Sequence, residues 1–290
     1  MEVRRASRPV VVGVDGSASA YRAVEWAAAE AARRGVALRL VRAFSWTTAD
    51  RPTGWVLRYR DQLLEISRRQ VARAARIAAD ARPDVAADPQ VEIGAPIEVL
   101  GSEARRAQLL VLGDRGLGEV AGLVLGSVAV SLAARGACPV VVVRGDPGPA
   151  AGPVVVGIDG SPVSEAALAF AFDAAAARGA DLVAVHAWSS TAIEEGLRSF
   201  VEWDASAEDA VLAERLAGWG QKYPQVAVRR TVVRDGAVRA LVDASAGAQL
   251  AVVGSRGRGN AVGLVLGSVS HGVLHGAHCP VAVVRPGTEA

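Results

Sequence analysis

Val10-Val11-Val12-Gly13-Val14-Asp15-Gly16-Ser17 is the stretch from which the fold can be read, because it returns as Val154-Val155-Val156-Gly157-Ile158-Asp159-Gly160-Ser161. A short apolar run that ends in an acid, a glycine and a serine reads as a buried parallel strand, a turn and a helix cap. Behind each copy lies an alanine-rich segment with apolar residues at helical spacing, 20–34 and 166–178, closed by Gly35 and Gly179. The two aspartates stand 144 residues apart, about the length of one domain.

Outward from the first copy, strands are expected at 36–44, 90–93, 109–112 and 138–143, and helices at 55–81, 97–107 and 127–134. Outward from the second, strands fall at 182–188, 225–233 and 250–253 and helices at 193–219 and 237–246. Arg144 to Gly152, rich in proline and glycine and without periodicity, separates the two sets. The boundaries are therefore 1–146 for a first domain, 147–152 for a linker and 153–290 for a second. Alternating β and α elements imply an α/β fold: two tandem, doubly wound parallel sheets with helices on both faces.

A second repeated pattern follows the fourth strand of each half. Gly113-Asp114-Arg115-Gly116 is followed nine residues later by Gly126-Ser127, and Gly254-Ser255-Arg256-Gly257 by Gly267-Ser268. A strand that ends in a glycine-rich loop and returns to a helix start suits phosphate, since bare backbone N–H groups and the helix N-terminus meet the oxygens. Ligands of such sheets bind at the carboxyl ends of the strands where chain order reverses. Asp15 and Asp159 fall at that same edge.

The chain has 290 residues, 51% of them hydrophobic, enough for two cores. Its 32 cationic residues, all arginine but Lys222, are spread among 30 acids for a net charge of +2, with no basic stripe for nucleic acid. Two cysteines, Cys138 and Cys279, are too few for a disulfide framework. Met1-Glu2-Val3-Arg4-Arg5 leads into a strand instead of a signal sequence, and no apolar run reaches ~18 residues. A cytoplasmic protein without a membrane partner is expected.

Together the Val-Gly-Val-Asp-Gly-Ser and Val-Gly-Ile-Asp-Gly-Ser openings, the two G-x2-G-x9-G-S loops and the Cys-Pro-Val strands closing each half resemble the universal stress protein family in its tandem two-domain form. The resemblance covers nearly the whole chain. It implies a five-stranded sheet of order 3-2-1-4-5 in each half and an ATP-binding stress-response protein, a sensor or regulator with at most slow hydrolysis or autophosphorylation. Carried over by position, a first ATP site comprises Asp15, Gly113, Gly116, Gly126, Ser127 and Val128, and a second Asp159, Gly254, Gly257, Gly267, Ser268 and Val269. Ala43 and Ala187 would stand at the adenine wall, and Mg²⁺ would accompany the nucleotide. The family pairs domains through the fifth strand, so intramolecular pairing and a homodimer are expected, with a regulatory protein as partner. The alternative is an interaction module that keeps the fold and binds no nucleotide.

Other chemistries fit less well. Gly116-Leu117-Gly118 and Gly257-Arg258-Gly259 lack the third glycine of a dinucleotide fingerprint and follow strand four, and no GxxxxGK[ST] is present. His271, His275 and His278 have Val130, Ala134 and Ala137 at the matching places of the first half, and they suit the negative end of a helix better than a metal. Ser127 and Ser268 stand outside any G-x-S-x-G elbow. Loop charge distinguishes the halves: Asp114 and Glu119 stand in the first, Arg256 and Arg258 in the second. One repulsive unit pair ~6 Å apart at an effective dielectric of ~20 costs roughly 2.8 kcal/mol, so the second site is expected to hold ATP more tightly.

Overall fold

A computed structural model describes residues 8–46, 54–116, 125–145, 151–188, 205–234, 236–257 and 266–287. The chain falls into two units, Met1–Arg144 and Gly145–Glu289. Residues 147–150 of the expected linker lie outside the described residues. Gly152 is already tied to the second unit, its carbonyl accepting from Gln249 Nε2 at 2.7 Å.

In the first unit the order of elements is β1 (Val10–Gly13), α1 (Ala18–Arg34), β2 (Leu38–Phe44), α2 (Gly54–Ala81), β3 (Ala87–Ile93), α3 (Pro96–Ala104), β4 (Leu109–Gly113), α4 (Ser127–Arg135) and β5 (Val140–Val143). The strands stand in the order β3-β2-β1-β4-β5 and run parallel. In the second unit β6 (Val154–Ile158), α5 (Pro162–Arg178), β7 (Leu182–Trp188), α6 (Ala205–Lys222), β8 (Val228–Arg234), α7 (Ala237–Ser245), β9 (Leu250–Gly254), α8 (Ser268–Gly276) and β10 (Val281–Val284) repeat the plan. Their order is β8-β7-β6-β9-β10, again parallel. Both sheets thus have the expected 3-2-1-4-5 arrangement.

The central strands are apolar on both faces because helices cover both. Val10, Val11, Val12, Leu109, Leu110 and Val111 are wholly buried, as are Val154, Val155 and Val156. Val10 pairs with Leu38 on one side and Leu109 on the other, and Val154 pairs likewise with Leu182 and Leu250. The first helix of each unit starts earlier than its apolar pattern, at Ala18 and Pro162, because serine side chains cap it. Ser17 Oγ accepts from Ala20 N at 3.1 Å and Ser161 Oγ from Ser164 N at 3.2 Å. Both helices stop at a left-handed glycine, Gly35 at φ 64° and Gly179 at φ 60°.

The structure lengthens β3 to include Pro89, which pairs with Leu40. A proline is tolerated there because β3 is the outer strand of its unit's order. In the second unit α6 covers Ala205–Lys222, and the 193–204 part of the expected helix lies outside the described residues. Among the described residues no helix is long and apolar enough to cross a membrane.

Cys138 and Cys279 are buried just before β5 and β10, and burial pushes both thiols up to about 12. Low-pKa exposure is what makes a thiol reactive, and both lack it. We expect neither cysteine to react with an aromatic disulfide reagent at pH 8 in the native protein and both to react in denaturant, read by thiolate absorbance.

Candidate nucleotide site

Because β1 lies between β2 and β4, the chain leaves the sheet in opposite directions on its two sides, and a crevice opens at the carboxyl ends of the strands. In the first unit this is a cleft of about 390 Å³, in the range of small-ligand sites. Asp15, Ala43, Gly113, Gly116, Gly126, Ser127 and Val128, the residues singled out in the first half of the sequence, all line it.

The aspartate is not the helix cap; Ser17 is. Asp15 Oδ1 instead accepts from Ser17 N at 2.9 Å, which closes the turn after β1 and aims the other oxygen at the loop. A Cβ placed on Gly116 would stand 2.6 Å from Asp15 Oδ2, so only a bare Cα lets the carboxylate lie there. The second unit repeats the geometry. Asp159 Oδ1 accepts from Ser161 N at 2.9 Å, and a Cβ on Gly257 would stand 2.5 Å from Asp159 Oδ2.

The loop ends are pinned by their own backbone. Gly126 N donates to Asp114 O at 2.8 Å and Gly267 N to Ser255 O at 2.9 Å, which returns the chain to the start of α4 or α8. Gly126 and Gly267 are the N-caps and supply no side-chain cap. The first-turn N–H groups of Ser127, Val128 and Ala129 therefore have no helical carbonyl and face a cleft that these residues line. Ser268 and Val269 occupy the same first turn in α8, Gly254 ends β9, and Ala187 is the penultimate residue of β7. Residues 117–124 and 258–265, including Glu119 and Arg258, lie outside the described residues.

Two features of the first site change the electrostatic reading. Asp114 is not among the residues that line the cleft. It is buried, accepts a hydrogen bond from Ser19 Oγ and lies 3.9 Å from Arg115 Nε. Its charge also opposes the lowering that burial imposes on Arg144. Ser19, Arg115 and Arg144 thus temper the charge that Asp114 presents to the loop. The halves solve this contact differently: Ser19 and Asp114 in the first correspond to Val163 and Ser255 in the second. Ser19 Oγ fills the space beside Gly113, as Val163 does beside Gly254.

The second feature is Arg42, which also lines the cleft and which the glycine pattern does not mark. Its signal in the sequence is a lone cation inside the apolar run Leu40-Val41-Arg42-Ala43-Phe44. Of the remaining candidates, His271 and His275 stack edge to face, their rings 4.4 Å apart. Among the described residues no three His, Cys, Asp or Glu side chains are grouped as a metal site.

Ser19 is the donor that satisfies Asp114 across α1 and the loop. Ser19→Ala should destabilise the first unit by about 1–3 kcal/mol, the usual penalty for leaving a buried charged group short of a donor. Val163→Ala, its positional counterpart, should lose only apolar contact. Urea unfolding of the two variants measures the difference.

The model of the universal stress protein family matches residues 6–144 and 151–285. Universal stress protein Rv2005c of Mycobacterium tuberculosis is 43% identical over 303 residues, covering 98% of this chain and 99% of its own. Universal stress protein Rv2623 of the same organism is 41% identical over 300 residues, covering 98% and 99%. Among solved structures, a universal stress protein from Archaeoglobus fulgidus superposes with a TM-score of 0.72 at 19% identity, covering 97% of this chain and 99% of that one, a likeness of fold. With the repeated sheet, the paired aspartate–glycine contacts and these matches over both halves, the chain belongs to the universal stress protein family.

Proposed function

We propose that this protein binds ATP at the strand ends of both halves and acts in the stress response as a nucleotide-dependent regulator, not as a fast enzyme. The observation that carries the reading is the convergence of Asp15, Gly116, Gly126 and the first turn of α4 on one cleft. Open first-turn N–H groups and the positive end of the α4 dipole suit phosphate oxygens. Asp15 can accept from a ribose hydroxyl, and Ala43 with Val41 gives the cleft a small apolar wall on the β2 side. The second half repeats the aspartate, the loop glycines and the helix start, which supports a second site of the same kind. Mg²⁺ belongs to this reading as the companion of the triphosphate, and a cytoplasmic location and a homodimer belong to it as well.

A regulator needs the ligand to join parts of the fold that can move apart. Ser17 Oγ donates to Arg115 O at 3.3 Å, so α1 already touches the first loop. A nucleotide on Asp15 and α4 would tighten that contact and change the surface a protein partner meets.

Calorimetric titration with ATP and Mg²⁺ should show two binding events. Gly116→Ala should weaken the first and Gly257→Ala the second, each about tenfold or more, because the new Cβ displaces the aspartate's outer oxygen. That oxygen ends a movable side chain, so the melting temperature should change little. Absence of ATP from gently purified protein, together with no heat on titration, would favour the interaction module that keeps only the fold.

A further inference from the structure

Arg42 is a cation in a place where the fold alone does not call for one. It stands in β2 between the buried Val41 and Ala43 and lines the first cleft. Its Nε–H is buried and has no hydrogen-bond acceptor among the described residues. Burial lowers the guanidinium below its ordinary range, opposed by the charges of Asp15 and Tyr21. Arg42 as a whole is half-buried, but a buried Nε–H left without an acceptor is destabilising, and an aliphatic side chain would leave no such donor unmet. Retaining arginine makes physical sense if something else supplies the acceptor.

The second half treats the same position in another way. His186, the counterpart of Arg42, is buried in β7, with Nδ1 2.8 Å from Ile158 O and Nε2 3.1 Å from Glu208 Oε2. Both ring nitrogens are committed within the protein, so His186 offers nothing further to a ligand. The sheet order also says which end of a ligand Arg42 can meet. The glycine loop follows β4, Asp15 follows β1, and Arg42 lies on β2. At ~4.8 Å per strand, β2 is about 10 Å from β4 across the sheet. A nucleotide whose phosphates rest on the loop and α4 therefore brings its nucleoside toward Arg42.

We propose that Arg42 is a specificity-determining residue of the first cleft, its Nε–H donating to an acceptor atom at the nucleoside end of a bound nucleotide, and that the second half lacks this contact. The inference rests on the nucleotide-binding reading and deepens it. It gives the first site a donor that the second does not have, a contribution opposite to the order of affinity expected from loop charge.

The test is titration of the full chain with ATP and with adenosine, in a Gly257→Ala background that leaves the first site as the tighter one. Arg42→Met keeps the length of the stem and removes the donors. It should weaken both ligands about tenfold, the loss of one hydrogen bond to a charged donor, while the melting temperature of the free protein stays level or rises. Unchanged binding of both ligands in Arg42→Met overturns the assignment. So does a loss for ATP alone, which would place the arginine at the phosphates, and so does a clear drop in melting temperature, which would make its role structural. If the parent with Arg42 binds neither ligand and the otherwise unsubstituted chain shows no ATP binding either, the nucleotide reading itself has failed, and this inference with it.

Discussion

A central strand hydrogen-bonded in parallel on both sides is the constraint that the rest of each half obeys. β1 pairs with β2 and β4, and β6 with β7 and β9. Parallel neighbours cannot be joined by a tight turn, so each connection crosses over through a helix, and both sheet faces become covered. This is why the central strands are short runs of aliphatic and small residues with no charged side chain among them. It also explains why the polar ends of β1 and β4 meet in a crevice: the chain departs to opposite faces from adjacent strands.

What fills that crevice is decided by very small groups. The strand-one aspartate folds one oxygen back onto its own turn and lays the other against a loop glycine. Glycine at the helix start leaves the first-turn donors of α4 and α8 without a side-chain cap. In the first unit what they produce is an opening with the helix start on one side and a carboxylate on the other. This opening is the feature on which the proposed nucleotide-dependent role rests.

The two halves share this plan yet are not copies in chemistry. Where the first uses a buried serine–aspartate hydrogen bond to attach α1 to the loop, the second uses valine packed on glycine with a buried serine. Where the first has Arg42 at the cleft, the second has a histidine held by Ile158 and Glu208. In the first exchange two residues distant in sequence change together, Ser19 with Asp114; in the second, the histidine of β7 has its partner Glu208 on α6. A duplicated fold tolerates such exchanges because the backbone contacts at the loop remain intact while the side chains behind them repack. The result is one loop geometry with different side chains behind it in the two halves.

The sequence by itself determined the repeat, the α/β class, the strand order through its family resemblance, and the positions of the aspartates and loop glycines. These were legible because apolar runs, helical spacing, serine caps and glycine punctuation are local signals. It could not show what Asp15 does beside the serine cap, one oxygen accepting from Ser17 N and the other lying against Gly116, because the loop glycine is far away in sequence. Nor could it show that Asp114 turns toward Ser19 or that Arg42 reaches the cleft. Those outcomes depend on contacts 95 residues apart for Ser19 and Asp114, and on which strands become neighbours in the sheet. A charge counted along the chain has no direction. Only the tertiary structure gives it one, by burying one side of a side chain and opening the other.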